Sequence, residues 1–267
     1  MQLPPTMPWQ ARGSRPPLLW LDGGPAFRAL AQAIGPDQPF LGVELPPADL
    51  QQVSPGARIA DIARLFVRLV RAVQPEGPYY IGGFCARGIL AYEVAAQLTA
   101  EGSHVGLVIL LHTANPVHLR RISALALLLS KFKYHVGHVS RMSPRDGCAY
   151  LVARSRVALA RRRERDRRRP GDQQPRFGEI TEQAAFAYEP LPYDGDVALF
   201  QPADTLDVYD YRPGWTGIVK GELSSQMLPG GHTSMLDEPH VEALGAAVRS
   251  ALLRAQAGGS RRLPAAA

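Results

Sequence analysis

The 267-residue chain is 46% apolar, enough for a core, and its formal net charge is +6. No apolar run approaches the roughly 18 residues a membrane span needs. Met1-Gln2-Leu3-Pro4-Pro5 lacks the charged start and apolar centre of a secretion signal. Two cysteines, Cys85 and Cys148, make no disulfide framework. A cytoplasmic location is expected, where reducing conditions keep Cys85 free. Much of the positive charge lies in residues 154–169, RSRVALARRRERDRRR, whereas lysine occurs only at Lys131, Lys133 and Lys220. That run lacks interleaved aromatic residues and no nucleic-acid fold accompanies it, which argues against nucleic-acid binding.

Residues 1–15 read as an extended N-terminal segment. Leu18-Leu19-Trp20-Leu21 reads as a buried strand, stopped by Asp22-Gly23-Gly24-Pro25. Residues 26–34 have helical spacing, and Pro39–Leu45 forms a second strand. A long helix over 56–74 places Ile59, Ile62, Leu65, Phe66, Leu69 and Val70 on one face. Pro78–Ile81 is a third strand, with a helix to about residue 102, and Val105–Leu111 is a fourth. Unbroken apolar strands alternating with helices predict a mostly parallel sheet with helices on both faces. The alternation breaks at 115. Residues 116–192 read as a helical lid insertion, mobile around 164–176. Asp196–Phe200 and Ser224–Leu228 resume the sheet in a second core segment, 193–257. A final helix is expected over 237–256 and a disordered tail over 258–267.

Between the third strand and its helix lies Gly82-Gly83-Phe84-Cys85-Ala86-Arg87-Gly88. Strand, tight turn and helix in that order put a thiol at the apex, beside the positive end of a helix. The layout is a nucleophile elbow, G-x-S-x-G, with cysteine for serine. Arg87 occupies the place of the last glycine, and Gly88 follows one residue later. A helix N-terminus and a nearby cation are expected to lower the Cys85 pKa. The plainer reading of Cys85 is a buried structural cysteine.

Four segments resemble the thioesterase domains that end nonribosomal peptide and polyketide synthetases. They are Arg12–Trp20, the run Leu69–Tyr79 into the elbow, Cys85 with Ala91-Tyr92-Glu93-Val94-Ala95, and Leu228–Leu236 with Glu238-Pro239-His240. The resemblance implies an α/β-hydrolase fold with a helical lid. It also implies that His232, 147 residues after Cys85, is the general base on a Pro-Gly-Gly loop. In most of the family an aspartate follows the strand after the elbow; here His112 stands there. Asp204, 28 residues before His232, resembles the acid of stand-alone type II thioesterases. Asp207 and Asp210 are rivals, and all three also read as loop carboxylates facing water.

The oxyanion hole needs two backbone N–H groups. Ala86 is expected to give one. Gly24 is expected to give the other, with Gly23 in reserve, although these glycines also suit a plain tight turn. Arg87 opens a helix, the unfavourable end for a cation. It is read as a modifier of Cys85, as a binder of an anionic acyl group, or as a side chain bent into solvent.

The resemblance implies release of an acyl or peptidyl chain from the phosphopantetheine arm of an acyl or peptidyl carrier, by hydrolysis, cyclisation or transfer. It implies no bound cofactor and no metal, and neither nucleic acid nor membrane as partner. The arginine run is either a basic surface that steers acidic carriers or a solvated helix face. His112 and Arg87 favour an alternative, a thioesterase-like module that only binds a carrier or an acyl chain. A general hydrolase of small esters is a third reading.

Overall fold

The computed structural model describes residues 6–140, Ser143, 176–206 and 210–262. The arginine run at 154–169, Cys148 and Asp207 lie outside the described residues, as does nearly all of 164–176. Seven strands form one sheet: β1 (Thr6–Gln10), β2 (Leu18–Trp20), β3 (Phe40–Val43), β4 (Tyr79–Phe84), β5 (Val105–Leu111), β6 (Val197–Pro202) and β7 (Leu223–Leu228). Their order is β1-β3-β2-β4-β5-β6-β7. β1 pairs with β3 antiparallel, and every other pairing is parallel.

The helices follow the crossovers. They are α1 (Arg28–Ile34), α2 (Pro47–Leu50), α3 (Ile59–Val73), α4 (Ala86–Ala100), α5 (Pro116–Arg121), α6 (Ala124–Val139), α7 (Phe177–Ala187), α8 (Arg212–Trp215) and α9 (His240–Arg262). Side chains alternate across a strand. Leu18, Trp20, Tyr80, Ile109, Leu111, Ala198 and Phe200 therefore share one face, where they form a core with Leu30, Ile34, Leu244 and Val248 of α1 and α9. Leu19, Ile81, Val108, Leu110 and Leu199 point to the opposite face and are as deeply buried. α4 packs there against β4 and β5, with α3 and α7 beside it. Strands buried on both faces need continuous apolar sequence, which is why these segments carry no alternation.

The chain divides into two compact units. The first holds the sheet and comprises Met1–Arg121, Phe177–Thr205 and Asp210–Ala267. The second comprises Ile122–Arg176 and Leu206–Tyr209. α5 and α7, expected within the lid insertion, thus belong to the sheet unit. In the second unit the described structure is mainly α6, whose first turn is capped by Ser123 Oγ accepting from the Ala126 N–H at 3.1 Å.

Two elements differ from expectation. Residues 6–10, read as part of an extended segment, pair with β3 as an antiparallel edge strand. The last helix runs on to Arg262, through residues read as the start of a disordered tail. Its apolar side packs on the sheet core as far as Leu252 and Ala255.

The parallel strands all end at one edge. Asp22–Pro25 follows β2, Cys85 follows β4, His112 follows β5, Asp204 follows β6 and His232 follows β7. The expected site residues, separated by up to 210 positions, are thus delivered to the carboxyl ends of the strands.

Candidate active site

Cys85 has φ 53° and ψ −122°, a strained conformation between β4 and α4. Backbone bonds hold it there. Its N–H donates to Leu111 O at 2.9 Å, and its carbonyl accepts from the Gly88 N–H at 3.0 Å. Thr113 Oγ1 also donates toward that carbonyl, at 3.2 Å. Glycines make the turn possible. A side chain at Gly82 would run into the Trp20 ring, one at Gly83 into Arg87 O, and one at Gly88 into Thr113 Oγ1. Gly88 therefore supplies the close approach that Arg87 cannot. Gly88→Ala is expected to destabilise the fold by about 1–3 kcal/mol, as overpacked sites do; a thermal melt several degrees below wild type checks this.

The Cys85 thiol is exposed, yet protein surrounds it closely enough that desolvation pushes its pKa above the ordinary value. A hydrogen bond from the Ala86 N–H opposes that rise, and the negative charge of Glu182, on α7, adds to it. The lowered pKa expected from the helix terminus and Arg87 is therefore replaced by a raised one: desolvation and Glu182 outweigh the favourable N–H.

His232 lies beside the elbow, with its ring 4.8 Å from that of Phe84, the residue before Cys85. Its Nδ1 is in short hydrogen-bond contact with Nδ1 of His112. His112 has φ 48°, a region where histidine, like Asp and Asn, is enriched. Its N–H donates to Phe200 O at 2.7 Å, and its Nε2 lies 3.1 Å from the Tyr211 hydroxyl. Burial first, then the neighbouring His232, lower the His112 pKa to about 4. Desolvation also lowers that of His232. Both rings are neutral at pH 7, so one proton serves the contact between them. If His232 Nδ1 carries it, Nε2 of His232 is left as a free base. His112 then accepts at Nδ1 and donates from Nε2 to Tyr211 Oη.

Asp204 lies in the turn against which the histidine loop folds. Its N–H donates to Gly230 O at 2.9 Å, and its Oδ2 is 3.7 Å from where a Gly231 side chain would begin. The group at His232 Nδ1 is nevertheless His112. Asp210 accepts from the Arg212 N–H at 3.2 Å, a local contact at the start of α8.

Neither glycine of the β2 turn presents an open N–H. That of Gly24 donates to Asp22 Oδ1 at 2.8 Å. That of Gly23 donates to Glu44 Oε1 at 3.1 Å. The first is a local turn bond; the second crosses from the end of β3.

Arg87 is not bent into solvent. Its guanidinium carbon is 4.5 Å from the Phe177 ring centre and 5.8 Å from that of Phe66. Nη1 is buried without a hydrogen-bond partner among the described residues. Burial lowers its pKa, and the charges of Asp22 and then Glu44 oppose that. A buried donor without an acceptor costs about 1–3 kcal/mol. Sequence reasoning missed Phe66 and Phe177 as its shell, and Tyr211 and Glu182 as site neighbours. All four lie far from the elbow in sequence.

Among the described residues, no group of three or more His, Cys, Asp or Glu is placed to hold a metal ion. No helix there is long and apolar enough to cross a membrane.

A family model described as a thioesterase domain matches residues 23–251. Among curated proteins the chain is similar to the non-reducing polyketide synthase PKS1 of Zymoseptoria tritici, 25% identical over 231 residues. That match covers 82% of this chain and 10% of the synthase. It is also similar to chondramide synthase cmdD of Chondromyces crocatus, 35% identical over 109 residues, covering 38% of this chain and 3% of that protein. The chain thus spans a tenth or less of the length of these relatives. Among solved structures, the thioesterase domain of NocB in covalent complex with a fluorophosphonate nocardicin G analog aligns with TM-score 0.62 at 24% identity, over 92% of this chain and 99% of that one. The wild-type Vlm2 thioesterase domain aligns with TM-score 0.58 at 19% identity, over 92% and 96%. At these identities the likeness is one of fold, the α/β-hydrolase fold. With the family model matching 229 of the 267 residues, the chain belongs to the thioesterase-domain family.

Proposed function

We propose that this chain takes an acyl or peptidyl group from the phosphopantetheine thioester of a carrier protein onto Cys85. The observation that carries this reading is the strained elbow at Cys85 with the His232 ring packed beside it, tilted against Phe84. His232 Nε2 removes the thiol proton as sulfur attacks the thioester carbonyl. The Ala86 N–H holds the resulting oxyanion; the Gly24 N–H expected beside it is bonded to Asp22. Collapse expels the pantetheine thiolate, which takes the proton back from His232. Water, or a hydroxyl or amine of the bound chain, then attacks the Cys85 thioester. His232 takes its proton and returns it to the Cys85 sulfur.

His112 orients His232 in this scheme, in place of the carboxylate that most of the family has there. A neutral ring fixes the tautomer but does not stabilise an imidazolium as a carboxylate does. A thiol needs less help than a hydroxyl, because even with its pKa raised by burial it is a far stronger acid and a better nucleophile. Asp204, in the adjoining turn, remains the candidate for the second position. One thioester exchanges for another with little change in energy, so the acyl group stays activated on Cys85. That favours cyclisation or transfer over plain hydrolysis; linear acid as the sole product of the native substrate would count against it.

The test is incubation with a panel of acyl-pantetheine thioesters and measurement of intact mass. A mass gain that is lost in Cys85→Ala supports the acyl-enzyme. No gain with any thioester supports the second reading, a carrier- or acyl-binding module, which the occupied Gly24 N–H favours. The pH dependence is also defined. His232 must be neutral to act, and its pKa lies below 6.5. Acylation is therefore expected to fall with pH only below 6.5. His112→Asp sets a carboxylate beside the ring and should move that acid limb upward; stopped-flow acylation from pH 4 to 9 shows whether it does.

A further inference from the structure

Three observations around the β2 turn fit one another. The Gly24 N–H is occupied by the Asp22 carboxylate at 2.8 Å. The same N–H is the one expected to hold an oxyanion, and two anions do not share one donor. Arg87, two residues after the nucleophile, has Nη1 buried with no acceptor among the described residues. Its guanidinium lies near the rings of Phe177 and Phe66. Among the described acids, Asp22 acts most strongly on its charge, with Glu44 next. An anion held on a turn donor and a buried cation with no acceptor among the described residues thus feel each other's charge.

We propose that Arg87 is a positioning residue for the oxyanion hole: when the thioester enters, the Asp22 carboxylate leaves the Gly24 N–H for the Arg87 guanidinium, and Gly24 becomes the second oxyanion donor. This rests on the acyl-transfer reading above. The move satisfies the buried guanidinium, which prefers a carboxylate in its plane. It also removes a negative charge from the place where the reaction generates one. The elbow gains a cation where the motif has glycine because this turn carries its own anion, Asp22, and that anion must be drawn away.

The experiment follows acyl transfer to Cys85 from acyl-pantetheine thioesters by rapid-quench intact mass in wild type, Arg87→Gln, Arg87→Lys and the double variant Arg87→Gln/Asp22→Ala. Loss of one oxyanion donor lowers the chemical step about 10²–10³-fold. Arg87→Gln is expected to lose about that much at saturation, with the half-saturating thioester concentration little changed. Arg87→Lys keeps the cation and should retain more activity than Arg87→Gln. Removing the Asp22 carboxylate opens Gly24 without help from the arginine, so the double variant should recover at least tenfold over Arg87→Gln. A merely structural arginine gives no such recovery.

A double variant as slow as Arg87→Gln overturns the proposal. So does a defect seen only as a raised half-saturating concentration for carboxylate-bearing acyl groups, which makes Arg87 a substrate anchor instead. If Arg87→Gln fails to fold, Asp22→Ala alone decides. The proposal requires that it acylate no more slowly than wild type, and a tenfold loss overturns it. Wild type that never gains acyl mass defeats the acyl-transfer reading and this proposal together, whereas an active wild type without rescue defeats this proposal alone.

Discussion

Cys85→Ser is expected to slow acyl-enzyme formation by about 10²–10⁴-fold, and His112→Asp in the same chain is expected to return a large part of that loss. A serine hydroxyl reacts only as its proton leaves, so its base must become an imidazolium in the transition state. In the proposed reaction the base is His232, and its neighbour is a neutral ring with a pKa of about 4. Nothing in the pair stabilises the positive charge. A carboxylate at position 112 would do so, and its backbone slot suits the change, since φ 48° admits aspartate as readily as histidine. The measurement is the acylation rate of the two single variants and the double. The decisive quantity is the coupling between the substitutions. If His112→Asp helps serine no more than it helps cysteine, His112 is not the orienter.

His232→Ala is the second large effect. Acylation at pH 7 should fall about 10²–10⁴-fold. The residual reaction must then run through thiolate already present. Burial and Glu182 hold the Cys85 pKa above its usual value, so that fraction is small and grows tenfold per pH unit. The variant's rate should climb with that slope from pH 7 to 9, while wild type stays much flatter. A flat profile in the variant would mean that Cys85 is ionised by something other than His232. Iodoacetamide trapping of the free thiol gives an independent reading of the same slope.

Much of the scaffold is legible in the sequence because its strands are buried on both sides. Leu18–Trp20, Tyr79–Ile81 and Val105–Leu111 are short continuous apolar runs bounded by turn residues, the pattern that strands covered on both faces require. β1 escaped notice for the opposite reason. Thr6–Gln10 is a half-exposed edge strand with a proline inside it, so it shows neither a continuous apolar run nor clear alternation. The elbow was readable from glycine spacing, since each glycine answers a close approach by Trp20, Arg87 or Thr113. The partners of the site were not. That His112 rather than Asp204 meets His232 depends on where β5 and β6 end relative to β7, which is a matter of register. The burial of Arg87 depends on Phe177 arriving 90 residues later. The engagement of Gly24 by Asp22 is a local Asx-turn, which the Asp-Gly-Gly spacing allows.

The segment after β5 has a consequence for how this site can change over generations. His112 to Asn115 is pinned on both sides: Trp215 Nε1 donates to Thr113 O at 2.9 Å, and Asn115 Nδ2 donates to Gly214 O at 2.7 Å. The backbone at position 112 is therefore set by its neighbours and not by its own side chain. Histidine and aspartate codons differ by one base. A single mutation can exchange a neutral orienter for a charged one while the loop stays folded, and codons for cysteine and serine are equally close. On the proposed reading, nucleophile and orienter are thus adjustable parts on a fixed mount, and a lineage can pass between the two pairings without losing the scaffold.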